Sequence, residues 1–271
     1  MTITALTTYR SLELPNMLWL EAETADGVVG LGETFYAAEA VEAYIHANLA
    51  PIVLGMSAVD IEAVYYRTRP YVGFVAASTE LRARSALDIA LWDALGKVTG
   101  QPISVLLGGR IRSQIPVYNT CAGNQYVRGT KLGTTENFGI SSLGTDQNYE
   151  DLDRFLNDPV GLAGSLLDMG IDSMKIWPFD FAAEATQGQF ISPAELNKAL
   201  APFEAIKKEY GDRMQISAEL HGMWNLSESL IICQALDEIG MRWIEDPVFL
   251  TNPTGIQELK RTVRSRIAMG E

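Results

Sequence analysis

The sequence predicts an α/β protein in two parts: an α+β domain over residues 1–113, then a series of strand–helix units over residues 114–271. Two observations carry this. The first hundred residues hold a hairpin signal followed by helical periodicity. The later residues alternate short apolar runs with amphipathic segments, which is the pattern of a parallel sheet. A length of 271 residues suits about two domains, or one barrel of roughly 250 residues.

The elements follow in order. Met17 to Glu23 and Val28 to Leu31 flank Asp26-Gly27, which predicts a β-hairpin. Ala38 to Leu49 and Glu80 to Lys97 read as helices, the second with Leu81, Ser85, Ile89 and Trp92 three and four apart and a stop at Gly100-Gln101-Pro102. After Gln114, strands are expected at Ile115–Thr120, Ser173–Trp177, Met214–Glu219, Met241–Ile244 and Arg266–Gly270. Between them lie helices at Pro159–Met169, Pro193–Tyr210, Asn225–Ile239 and Gly255–Arg264. Ser192 and Glu195 form a capping box for the helix that starts at Pro193. Residues 124–148 are rich in Gly, Thr, Asn and Ser without periodicity, and are expected to form a lid over the site. Such a sheet either closes into a barrel or lies open and doubly wound. No glycine-rich phosphate turn follows the strand that ends before Cys121-Ala122-Gly123.

Composition bounds the partners. With 21 basic and 34 acidic residues the net charge is −13, which repels phosphate backbones and argues against nucleic acid. No 18-residue apolar window suggests a membrane span, and Met1–Arg10 carries no signal-peptide pattern. Cys121 and Cys233 stand far apart in no metal spacing, which suits a reducing, cytoplasmic setting. The expected partner is a small-molecule carboxylate, and a homo-oligomer is the expected assembly.

Glu219, Glu245 and Glu271 recur at intervals of 26 residues, each at the C-terminal end of an expected strand. One β/α unit has about this length. Adjacent parallel strands lie about 4.8 Å apart, so the three carboxylates would converge. Converging anions need a cation, and an all-oxygen set suits Mg²⁺ before Zn²⁺. His221 follows Glu219 by two residues and shares its face. There it can serve as a proton donor or as a partner to the metal ligands. His46, in a helix of the first domain, reads as structural.

Several segments together resemble one family. Trp243-Ile244-Glu245-Asp246-Pro247 is similar to a metal-ligand strand of the enolase superfamily, in its mandelate racemase/muconate lactonizing enzyme branch. Asp26-Gly27 through Gly32-Glu33 resembles that family's hairpin. Ala86-Leu87-Asp88-Ile89-Ala90-Leu91-Trp92-Asp93, Gly96-Lys97 and Leu106-Leu107-Gly108-Gly109 resemble the end of its capping domain. Met174-Lys175-Ile176-Trp177 sits where the family has Lys-x-Lys.

The resemblance implies a TIM-like (β/α)8 barrel, incomplete in this chain because it stops at the fifth strand, behind an α+β capping domain. It implies Mg²⁺ held by Glu219, Glu245 and Glu271, with Asp246 in the outer shell, and removal of a proton α to a carboxylate. Lys175 is the expected cation beside the substrate carboxylate. Trp177 replaces the second lysine and cannot take a proton, so a base on that face is missing. The main base, a His-Asp pair in the family, would follow Glu271. Trp177, Tyr36 and Phe35 are expected to wall the substrate pocket. The implied reaction is dehydration of a sugar acid, with His221 as the acid. The alternatives are a racemase, epimerase or cycloisomerase, and a non-catalytic member that binds a metal or carboxylate.

Overall fold

A computed structural model describes residues 1–69, 78–123 and 150–270. The chain forms two compact units that part between Ile115 and Pro116.

The first unit opens with an antiparallel sheet, β1 (Ile3–Arg10), β2 (Met17–Thr24) and β3 (Val29–Phe35), in that spatial order. The expected hairpin is β2–β3. Gly27 takes φ +78 in its turn, and Thr24 Oγ1 closes it by accepting from the Val28 N–H at 3.2 Å. Alternation places Leu18, Leu20 and Ala22 of β2 fully in the core. β1 escapes the sequence pattern because Ile3 is its one buried residue. Its Thr-rich stretch is held by pairing with β2 rather than by an apolar face.

Helices α1 (Ala38–Tyr44), α2 (Ala50–Val53) and α3 (Ile61–Thr68) follow, α1 and α2 being joined by a π turn over Ile45–Leu49. The long helix α4 (Thr79–Thr99) buries Ala83, Ala86, Leu87, Ala90, Leu91 and Ala94, a stripe of three- and four-residue steps. β3 lies hard against the alanines of this stripe. A Cβ on Gly30 or Gly32 would overlap the carbonyl oxygens of Ala90 and Ala86. Asp93 accepts from the Leu31 N–H at 2.7 Å, and Lys97 Nζ donates to the Val29 carbonyl at 2.7 Å. Part of the Ala86–Lys97 motif thus serves to fasten α4 to the hairpin. Helix α5 (Ile103–Leu106) is a single turn.

The second unit contains α6 (Asp151–Asn157), α7 (Pro159–Asp168), β4 (Ser173–Ile176), α8 (Asp180–Thr186), α9 (Pro193–Tyr210), β5 (Gln215–Glu219), α10 (Leu226–Ile239), β6 (Trp243–Glu245), α11 (Pro253–Thr262) and β7 (Arg266–Ala268). The strands form one parallel sheet in the order β4-β5-β6-β7. The capping box at Ser192 and Glu195 forms as expected. Asn225 caps α10, which ends at Gly240 in a left-handed conformation.

The strand expected at Ile115–Thr120 is reduced to one parallel bridge, Asn119 to Met174. Pro116 has no N–H for a ladder, and Ile115 and Val117 stay exposed. Two hydrogen bonds keep the segment beside β4: Asn119 N–H to the Ser173 carbonyl at 3.0 Å, and Lys175 N–H to the Asn119 carbonyl at 2.8 Å. The expected lid at 124–148 lies outside the described residues. Among the described residues, no helix is long and apolar enough to cross a membrane. Both cysteines are buried and unbonded to each other.

Candidate active site

The site gathers at the C-terminal ends of the parallel strands, where side chains two residues apart share a face. Glu219 ends β5 and Glu245 ends β6, and the two are direct partners in the register. Oxygens of Glu219, Glu245 and Asp246 lie within 4.8 Å of one another. Of the three glutamates expected as ligands, the structure thus brings Glu219 and Glu245 together. Glu271 lies outside the described residues. Asp246, expected in the outer shell, is near enough to join them as a ligand.

The Lys175 ammonium stands between two of these carboxylates, 2.7 Å from Glu219 Oε2 and 2.6 Å from Glu245 Oε1. Glu219 is 2% exposed, so its charge must be met locally. Its other oxygen accepts from the Leu220 and His221 main-chain N–H groups at 3.1 and 3.0 Å. The long arm of a glutamate lets it fold back onto its own loop. Glu245 Oε2 accepts from the Trp243 indole N–H at 2.8 Å. Trp243 in turn meets Tyr118 edge to face, with ring centroids 5.1 Å apart.

Burial pushes the Glu219 carboxyl up, and Lys175 and His221 offset this only in part. Glu245 ends below the ordinary glutamate value. Burial raises it, but hydrogen bonds from Lys175 and Trp243 and the Lys175 charge outweigh that. For Lys175, burial works against the charge, and the two carboxylates more than restore it, so its pKa is raised.

His221 sits just past β5 with φ +48, and Asp246 just past β6 with φ +40. Both are left-handed, an uncommon backbone for such residues that recurs at functional sites. Cross-strand bonds hold them there: the Gly222 N–H to the Asp246 carbonyl at 2.6 Å, and the Asp246 N–H to the Ala268 carbonyl at 2.9 Å.

The imidazole of His221 is held on two sides. Its Nδ1 lies 2.8 Å from Asp180 Oδ2, and the Trp177 ring meets it edge to face at 5.6 Å. Trp177 is 2% exposed and also packs on Phe155. Asp180 is fully buried at the start of α8, and burial raises its pKa against the pull of His221. Sequence reasoning missed Asp180, and it named Trp243 only as part of a motif, without its bond to Glu245. A buried acid two residues after Pro178, at a helix start, was a local signal, but its partner lies 41 residues away. Phe35 and Tyr36, expected in the pocket wall, belong to the first unit, where the Arg82 guanidinium lies 4.9 and 5.5 Å from their ring centroids. His46 also lies there, its Nε2 2.8 Å from Thr8 Oγ1.

An α+β unit, then parallel strands whose C-terminal ends carry clustered carboxylates and a lysine, defines a chain of the enolase type. Residues 4–108 match the mandelate racemase/muconate lactonizing enzyme N-terminal domain, and residues 160–271 match the enolase C-terminal domain-like family. The chain belongs to the mandelate racemase/muconate lactonizing enzyme branch of the enolase superfamily.

A crystal structure of an enolase of the mandelate racemase subgroup from Agrobacterium tumefaciens is 39% identical, with a TM-score of 0.83 over 98% of this chain and 63% of that one. D-mannonate dehydratase of Novosphingobium aromaticivorans is 27% identical over 94% of this chain and 61% of its own length. D-galactonate dehydratase of Pectobacterium atrosepticum is 26% identical over 100% of this chain and 62% of its own length. The chain therefore spans about three fifths of the length of the curated relatives it matches.

Proposed function

We propose that the protein is a Mg²⁺-dependent hydro-lyase that removes the proton α to the carboxylate of a sugar acid and expels the β-hydroxyl. The observation that carries the reading is the carboxylate cluster of Glu219, Glu245 and Asp246, with His221 two residues past the first of them. The names of two relatives, D-mannonate and D-galactonate dehydratase, support the substrate class.

The donor set fits the ion. It is all oxygen and net negative, and it already draws one cation, the Lys175 ammonium. Glu219, Glu245 and Glu271 would hold Mg²⁺, with Asp246 beside them. The bound ion would supply positive charge next to the substrate carboxylate, which acidifies the α-proton. Lys175 supplies a second positive charge, and its reach between the two glutamates places that charge at the same strand ends. His221 is the proton donor to the departing hydroxyl. Trp177 fixes the histidine ring and closes its apolar side. A base on the far side takes the α-proton.

A racemase, epimerase or cycloisomerase is the second reading, favoured by the subgroup to which the 39% identical Agrobacterium protein is assigned. The test is a screen of the full-length protein against an acid-sugar library with Mg²⁺, following 2-keto acid formation. The lyase reading expects one or a few sugar acids to yield keto acid, and Glu219→Gln to abolish the signal. Epimer formation without keto acid would replace it with the isomerase.

A further inference from the structure

Both oxygens of Glu245 are met by donors, and one aromatic ring touches both donors. The Lys175 ammonium lies 2.6 Å from Oε1, and the Trp243 indole N–H donates to Oε2 at 2.8 Å. The Tyr118 ring meets the Trp243 ring edge to face, with centroids 5.1 Å apart and planes at 79°. Lys175 Nζ lies over the same Tyr118 ring, 5.8 Å from its centroid. Tyr118 is 42% exposed, so burial of its own surface does not account for its place.

The backbone of Glu245 is fixed by pairing with Glu219 and Ala268, but that pairing does not fix its side chain. The carboxylate is oriented by its two donors, and each donor needs a restraint of its own. An edge-to-face contact is directional, because the positive edge of one ring seeks the negative face of the other. It therefore resists rotation of the indole. The same ring face attracts an ammonium. Arg242 adds a second hold on the indole: its guanidinium lies 5.2 Å from the Trp243 ring and donates to Ser173 Oγ at 3.0 Å.

We propose that Tyr118 is a positioning residue for the Glu245 carboxylate, acting through Trp243 and Lys175. Both of these contacts are made by the ring, so the ring and not the phenol hydroxyl is the working part. The effect on Mg²⁺ binding rests on the metal site of the proposed function, whereas the effect on the Trp243 N–H does not.

The experiment uses the full-length protein labelled at tryptophan and tyrosine, without added metal. The Trp243 indole resonance is assigned by its loss in Trp243→Phe. In the wild type this N–H should be protected from exchange with water, and the Trp243 ring protons should show cross-peaks to the Tyr118 ring. A wild-type spectrum without those cross-peaks overturns the proposal, and this needs no variant to fold. Tyr118→Phe, which keeps the ring, should leave the protection as it is. Tyr118→Leu should lose it while cooperative urea unfolding is retained. Unchanged protection in the Leu variant, or loss of protection in the Phe variant, overturns the proposal.

Mg²⁺ is then titrated by calorimetry. Tyr118→Leu should weaken binding about 10–100-fold, and Tyr118→Phe should not. In a Trp243→Phe background, where the indole donor is gone, the loss from Tyr118→Leu should be smaller than in the wild type. An undiminished loss there would mean that Tyr118 acts elsewhere and would overturn the proposal. If the wild type takes up no Mg²⁺ while the indole responds as expected, the metal reading fails and the positioning of Glu245 stands.

Discussion

Replacing Lys175 by Met should destabilise the second unit by an amount that pH controls. The ammonium neutralises two carboxylates at 2.7 and 2.6 Å, one of them 2% exposed and the other 23% exposed at the side chain. Removing one member of a buried ion pair typically costs about 3–5 kcal/mol. An upper limit follows from proton uptake. Without the lysine, Glu219 and Glu245 can share one proton. Taking a proton at pH 7 against an ordinary glutamate pKa near 4.3 costs roughly 3.7 kcal/mol, and about 1 kcal/mol at pH 5.

The sign is fixed by the direction of the shift. Glu219 is already raised by burial, and losing its cation raises it further. A carboxyl with a raised native pKa favours folding at low pH, and that contribution is lost as pH rises through the native value. The expected result is a loss of about 3–4 kcal/mol at pH 7 that shrinks to about 1 kcal/mol at pH 5. Native-state hydrogen exchange of amides in β4 and β5 measures it in the second unit alone. A loss below about 1 kcal/mol at pH 7, or an equal loss at both pH values, would refute the buried ion-pair account.

Three further outcomes follow. Gly32→Ala drives a methyl into the Ala86 carbonyl and should cost about 3 kcal/mol or prevent folding of the first unit, read by thermal denaturation. Trp243→Phe removes the indole N–H that orients Glu245 and should weaken Mg²⁺ binding about 10–100-fold by calorimetry, with the fold intact. Asp237 is the acid-limb case. Burial pushes its carboxyl up, but hydrogen bonds from Ser265 and from the Arg264 and Ser265 N–H groups bring it below the ordinary value. Its stabilisation is therefore present above the ordinary aspartate pKa and lost as pH falls through the native one. Asp237→Asn should cost about 1–3 kcal/mol at pH 7 and flatten the acid limb of a urea series.

The strand ends were legible because a β/α repeat fixes spacing. Glutamates at equal intervals at the ends of apolar runs place Glu219 and Glu245 side by side with no further information. The capping box at Ser192 and the hairpin at Gly27 were legible for a like reason, since each depends on residues a few positions apart. β1 was not, because a Thr-rich strand held by one neighbour leaves little apolar alternation. The strand before Cys121 was over-read: apolar residues flank Pro116, but that proline has no N–H to donate, and the pairing is reduced to the bridge at Asn119.

Side-chain partners were harder still. Lys175 was expected beside the substrate, and its contacts with Glu219 and Glu245 span 44 and 70 residues of sequence. Asp180 was missed because its contact with His221 exists only once β4 and β5 lie side by side and His221 turns back into the left-handed region.

The most direct measurement of the central claim is the fate of deuterium when the full-length protein turns over a sugar acid in D₂O with Mg²⁺. The proposed elimination, with His221 as its acid and a tryptophan where the second lysine would stand, sets the expectation. The product should be a single 2-keto-3-deoxy acid carrying deuterium at C3, with no α-epimer of the substrate accumulating. Rapid exchange of the α-proton with interconversion of two epimers, and no keto acid, would contradict it.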